Sequence, residues 1–231
     1  MAIIRDLHDD TYLAVDNSFK AIRGSVRPPD IGSGGGYYRR SLASGTLATL
    51  TNGSMFYAFR NPVAATVIIQ NISVGFRAIA GNTTISFIVS LYATRSYTAT
   101  ETAGVATAPT LKGGMMTQTR ATQLNSFLRI SNTGPISGGT GTNDSQPLAS
   151  LIFNHPGAIS NVGLSSQTFF PQLSGTSTKP GGGLGGIGTH VFPLVLAQNE
   201  GFRIYTDTTP NIGTNTVVAY VDVDWCEASS F

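Results

Sequence analysis

A chain of 231 residues is long enough to bury one substantial core without disulfide or metal staples. Charged residues make up only 11% of it, against about 25% in an ordinary soluble domain, while Gly alone numbers 27 and Ser plus Thr supply about a fifth. Three Lys and three Glu are too few to furnish solvated helix faces, so the helical classes are set aside in favour of pleated, half-buried surfaces. A formal net charge of +2 is too mild for the clustered basic face of a nucleic-acid binder. A surface of Ser, Thr, Asn and Gly loses little when desolvated against another protein, which points toward assembly.

The first 45 residues show little sustained periodicity. They carry Arg27-Pro28-Pro29-Asp30 and then Gly32-Ser33-Gly34-Gly35-Gly36 before Tyr37-Tyr38-Arg39-Arg40. Pro keeps the backbone extended and the Gly run frees it, so 1–45 is expected to be an extended arm. Ile3, Ile4, Leu7, Tyr12, Leu13, Val15, Phe19 and Ile22 are too apolar for a solvated tail and need a surface to cover. With Lys20, Arg23, Arg27, Tyr37, Tyr38, Arg39 and Arg40, residues Ile3, Ile4, Leu7 and Tyr12 form the expected assembly interface. The chain closes on Asp207, Asp222, Asp224 and Glu227, so its two ends differ in electrostatic character. That contrast fits either ordinary solvation or an arm that docks on an acidic neighbour.

From residue 46 to 231 the pattern becomes short apolar or alternating runs between Gly, Asn, Pro and Thr clusters, the signature of an all-β chain. Strands are expected at 55–60, 64–72, 84–94, 105–107, 119–130, 148–153, 190–197, 202–206 and 215–225, with 117–130 alternatively a short helix. Eight or nine strands fit an all-β, two-sheet β-sandwich. In the last run Val217, Ala219, Val221, Val223 and Trp225 or Cys226 set up an apolar face, and Tyr220, Asp222 and Asp224 the other. Residues 131–147 and 154–188 read as long loops at one end of the sandwich, contacting a partner. No fixed-period repeat divides the domain.

Tests for chemistry fail one after another. Neither Gly32–Gly36 nor Gly181–Gly188 carries the Lys-Ser/Thr pair of a P-loop. His8, His155 and His190 have no Ser nucleophile motif beside them, and no Cys/His spacing suits a metal. Cys226 is the single cysteine and is expected to be a small buried hydrophobe. Asp222 and Asp224 sit about 7 Å apart on one strand face, a spacing that suits a glycosidase or a hard cation but equally the protection of an edge strand. Asp6, Asp9 and Asp10 lack an EF-hand frame. Tyr37, Tyr38, Phe56, Tyr57, Tyr92, Tyr97, Phe169, Phe170 and Tyr205 are either a stacking platform for sugars or bases, or core and interface. Catalytic, cofactor and metal sites are therefore all expected to be absent. The N-terminus lacks the apolar core of a signal peptide and no run is long enough to span a membrane, so synthesis in a cytoplasm is expected. On that reading the acceptor-like triplets at Asn52, Asn71, Asn82 and Asn143 are coincidental.

The C-terminal third runs Val191-Phe192-Pro193-Leu194-Val195-Leu196-Ala197-Gln198-Asn199-Glu200-Gly201-Phe202-Arg203-Ile204, a Thr/Gly loop, and Asn215-Thr216-Val217-Val218-Ala219-Tyr220-Val221-Asp222-Val223-Asp224-Trp225. An apolar strand, an Asn-Glu-Gly turn, a short strand and a Val-rich strand ending in an acid-Trp pair resembles the jelly-roll virion proteins of tailed bacteriophages, especially capsid decoration or cement proteins. The resemblance covers about 35 residues and the overall composition. It implies a non-enzymatic oligomer, expected as a homotrimer, on the outer capsid surface. There it would bridge neighbouring major capsid protein subunits, with the arm as a strap and no contact to nucleic acid or membrane. The alternative is a tail- or fibre-associated sandwich that binds a host-surface glycan or receptor through loops 131–147 and 154–188.

Overall fold

The computed structural model describes residues 2–5, 12–15, 36–48, 50–80, 85–105, 115–117, 124, 127–155, 166–169, 194–208 and 216–228. The chain divides into two compact units, Met1–Gly32 and Ser33–Phe231. In the first, strands β1 (Ala2–Arg5) and β2 (Tyr12–Val15) pair antiparallel, from Ala2 opposite Val15 to Arg5 opposite Tyr12. Leu7, Lys20, Arg23 and Arg27 lie outside the described residues.

The second unit is the expected all-β sandwich: two antiparallel sheets packed face to face. One sheet holds β7 (Met115–Thr117), β3 (Gly36–Ala43), β14 (Thr216–Ala228), β5 (Thr66–Ala80) and β11 (Gln167–Thr168) in that order, with β12 (Leu194–Leu196) also on β5. The other runs β8 (Leu128–Ile130), β4 (Ser54–Asn61), β13 (Glu200–Thr206), β6 (Ile85–Arg95) and β10 (Ala149–His155), with β9 (Thr142–Asn143) also on β6. These are called the β14 sheet and the β13 sheet below.

Alternation on β14 places Val217, Ala219, Val221, Val223 and Trp225 inward, all fully buried. Neighbouring β5 stays in step only by a bulge. Asp224 faces Asn71 while Trp225 faces Ile69, so Gln70 is extra and the inward residues change from Val67 and Ile69 to Ile72, Val74, Phe76 and Ala78. A second irregularity on β4 leaves Phe56 between Met55, opposite Tyr205, and Tyr57, opposite Ile204. Phe56 and Tyr57 are consequently both part of the core. The core is aromatic. Phe59 stacks on Phe202 with centroids 5.2 Å apart and meets the edge of Trp225 at 5.5 Å, while Phe76, Phe87 and Phe153 form a second group.

Two expectations are corrected. Residues 36–43, read as the end of an arm, form β3, a strand flanked on both sides, by β14 and β7. Tyr38, Arg40 and Leu42 are buried there and Arg39, Ser41 and Ala43 exposed. Strand β14, read as an edge, is the middle of its sheet, between β3 and β5. The 119–130 strand is described only over β8 and the turn before it, where Phe127 N–H donates to the Leu124 carbonyl.

Residues 131–141 also depart from a loop projecting at one end. Ser131 N–H donates to the Phe56 carbonyl and Ile136 N–H to that of Met55, so the segment first follows β4. It then folds against 96–105, through bridges from Val105 to Ser131 and from Ala103 to Ser137. Together these stretches cover part of the outer face of the β13 sheet, where Met55, Ala58, Tyr97 and Ile136 make a second small core. Strand β4 is therefore buried on both faces.

Candidate functional site

Among the described residues, most side chains that chemistry would draw on are used by the fold. All three glutamates have structural partners. Glu227 is buried and accepts from Trp225 Nε1, and Glu200 pairs with Arg95 on the surface. Glu101, fully buried, holds Arg203, itself 5% exposed. The Arg203 guanidinium donates from Nε to Glu101 Oε1 at 2.9 Å and from Nη2 to the Thr140 carbonyl at 2.7 Å. It also lies 4.5 Å over the Tyr97 ring, and Tyr97 Oη donates to Glu101 Oε2. Burial, then the Glu101 carboxylate, pushes the Tyr97 phenol far up. This cluster ties 97–101 and 140–141 to β13. Sequence reading missed it; the signal it offered was the scarcity of charge, since a chain with so few glutamates has few to leave on the surface.

Asp222 and Asp224 do share the outer face of the β14 sheet, as alternation requires. Asp224 is taken by Arg39 at 3.3 Å and accepts from Asn71 Nδ2 at 3.3 Å. Arg39, expected at an interface, links β3 to β14 and stays half exposed, while Tyr38 packs in the core against Trp225, centroids 5.6 Å apart. Tyr37 lies opposite Cys226 on the backbone ladder. Cys226 is 2% exposed and burial, with Glu227 nearby, pushes its thiol up to about 11. A thiol so placed holds its proton at neutral pH. His155 ends β10; His8 and His190 lie outside the described residues, as do Asp6, Asp9 and Asp10. Among the described residues no group of three metal-ligating side chains occurs.

The aromatic set divides cleanly. Tyr38, Phe56, Tyr57, Tyr97 and Phe169 are buried, and Phe170 lies outside the described residues. Tyr92 on β6 and Tyr205 on β13 remain partly exposed and meet on the outer face of the β13 sheet. Their rings stand at 88° with centroids 5.5 Å apart. Tyr92 Oη donates to the Asp207 carboxylate, 3.1 Å from each oxygen, and Asn143 Nδ2 donates to Tyr205 Oη at 2.9 Å. Burial and the Asp207 charge raise the Tyr92 phenol. Ser90 and Ser150 hydroxyls bond at 2.6 Å beside this pair. Beyond them, at the β10 edge, Ile152 is 58% exposed and Leu148 43%.

Position within the sheet explains the local sequence. Asn199 takes a left-handed φ of 60° in the turn that Glu200 N–H closes on the Ala197 carbonyl, a conformation Asn tolerates better than most residues. Gly201 follows because a Cβ there would stand 2.1 Å from the Phe59 carbonyl oxygen and 2.7 Å from the Tyr97 ring. The Asn-Glu-Gly turn thus starts β13 in the register that delivers Arg203 and Tyr205 to the outer face.

No protein-family model matches this chain, and no curated protein does. Among the described residues no helix is long and apolar enough to cross a membrane.

Proposed function

We propose that this chain is a non-enzymatic structural protein acting through protein–protein contact, and within that class a capsid decoration or cement protein of a tailed phage. The observation that carries the contact reading is the β10 edge. Residues 148–154 contain no acidic or basic side chain, and Leu148 and Ile152 are exposed upon it. Solvent-facing edge strands usually carry charge or Pro to prevent association, so this uncharged aliphatic edge, whose Ile152 carbonyl already accepts from Gln167 Nε2, suits an apolar surface supplied by a partner. The engagement of Glu101, Glu200, Glu227, Asp224 and Cys226 in the fold supports the same reading. The capsid placement, the major capsid protein as partner and the trimer rest on the resemblance of the C-terminal third.

The test is an image reconstruction of native particles with the chain located in density. Density on the outer shell, bridging capsid subunits, is the expected result. Density on a tail, or absence from the particle, overturns the cement reading and favours the receptor-binding alternative. Deleting residues 1–45 would sever β3 from its sheet, so the informative truncation stops at Gly32. Loss of particle occupancy with the sandwich still folded is expected from that truncation.

A further inference from the structure

We infer that the Tyr92–Tyr205 face is a binding surface for a neutral carbohydrate, independently of whether the chain decorates a capsid. The argument starts from proton bookkeeping. Arg203 can only donate, and its Nη1 lies 3.4 Å from Asn143 Oδ1, which also accepts from Thr94 Oγ1 at 3.0 Å. A hydroxyl could serve either end of the amide, but the Arg203 guanidinium can only donate, so Asn143 Oδ1 faces Arg203 and its nitrogen faces Tyr205 and donates. Tyr205 Oη is therefore an acceptor in that bond, and its own proton has no partner among the described residues. Across the pair the roles reverse. Asp207 can only accept and takes the Tyr92 proton, which leaves lone pairs on Tyr92 Oη and on the carboxylate.

The face thus offers a donor and acceptors beside two aromatic rings held at fixed angles. Its ligand must both donate and accept, and must bring an apolar face to the rings. A pyranose does all of this, with vicinal hydroxyls on its rim and C–H groups on its face. A phosphate or nucleic acid meets the Asp207 charge, and an ammonium group cannot accept from Tyr205. The exposed side chains Ser150, bonded to buried Ser90, and Thr208, next to Asp207, are neutral hydroxyls. Because the tyrosines are already oriented by Asp207 and Asn143, little rotamer freedom is lost on binding. The surface is shallow, so a single site is expected to bind weakly, with a Kd of about 1 mM.

The experiment titrates the full chain with maltohexaose, cellohexaose, mannohexaose and chitohexaose, read by amide chemical shifts, with hexalysine and inorganic polyphosphate as controls. At least one neutral hexasaccharide is expected to shift residues around Tyr92 and Tyr205. Tyr92→Ala and Tyr205→Ala should each weaken it about tenfold. Tyr205→Phe keeps the ring and loses the hydroxyl, with its Asn143 bond, and should weaken binding several-fold while circular dichroism shows the fold retained. If Tyr92→Ala fails to fold, Tyr92→Phe and Tyr205→Phe carry the test. No shift with any hexasaccharide at about 10 mM overturns the inference, as does binding that both phenylalanine variants leave unchanged. Saturable binding of hexalysine without any sugar would reassign the face to cations.

Discussion

Replacing Arg203 by Met tests whether the cluster on the outer face of the β13 sheet is a dry ionic staple. The variant strands the Glu101 carboxylate, which is fully buried and receives from Arg203 two contacts, at 2.9 and 2.8 Å. It also frees the carbonyls of Thr140 and Gly141, but Thr140 is exposed and water can replace the guanidinium there. The carboxylate has no such recourse, and among the described residues only Tyr97 Oη still donates to its side chain. Removing one partner of a buried pair costs about 3–5 kcal/mol, most of it the uncompensated charge. For a domain of this size each kcal/mol lowers Tm by about 2–4 °C, so a loss of about 6–20 °C is expected. Trp225, the single tryptophan, is fully buried in the other sheet, so its fluorescence during denaturant unfolding reports loss of the whole sandwich. The double variant Glu101→Leu/Arg203→Met removes both charges and leaves only the Tyr97 hydroxyl without its acceptor, a cost of about 1–3 kcal/mol. It should therefore be more stable than Arg203→Met alone. A single variant that loses under about 1 kcal/mol, or a double variant no better than the single, would refute the reasoning.

Three further outcomes follow from local geometry. Gly201→Ala should prevent normal folding, since its Cβ would meet the Phe59 carbonyl, whereas Asn199→Gly two residues earlier should stay within about 1 kcal/mol of wild type; circular dichroism and denaturant midpoints check both. Phe59→Ala, which removes the ring between Phe202 and Trp225, should cost about 3–5 kcal/mol and shift the Trp225 emission maximum. Stability should fall with alkali. Cys226 is raised from 9.0 to about 11 in the folded chain, so below pH 9 both states hold the proton, and from there through about 11 only the unfolded state releases it. The melting temperature should decline over that window, and Cys226→Ala should flatten part of the decline.

Legibility in the sequence followed the regularity of the alternation. β14 was readable face by face because Val217, Ala219, Val221 and Val223 alternate without interruption beside small and acidic residues. β5 was readable only as far as Ile72. The bulge at Gln70 changes which parity points inward, so Val74, Phe76 and Ala78 look out of phase with Val67 and Ile69. β3 was hidden by chemistry: Arg40, 7% exposed, stands at an inward position between Tyr38 and Leu42, and its flanking Gly and Arg suggested a tether. Tyr92 and Tyr205 appeared among nine candidate aromatics, but nothing in a linear pattern distinguishes two that meet across β6 and β13 from those that fill the core. That distinction needs strand order, which only long-range pairing supplies.

The layer made by 96–105 and 131–141 divides the outside of the β13 sheet between two uses. Over β4 and β13 the chain has spent that surface on itself, closing Met55 and Ala58 under Tyr97 and Ile136. Over β6 and β10 it has left Tyr92, Ser150 and Ile152 facing outward. Tyr205 sits on the seam, packed against the small core on one side and Tyr92 on the other. A visitor to the open half therefore touches a residue whose other side is mortared into the closed half. Substitutions in the covering layer, remote from any ligand, would tilt the tyrosine that a ligand meets.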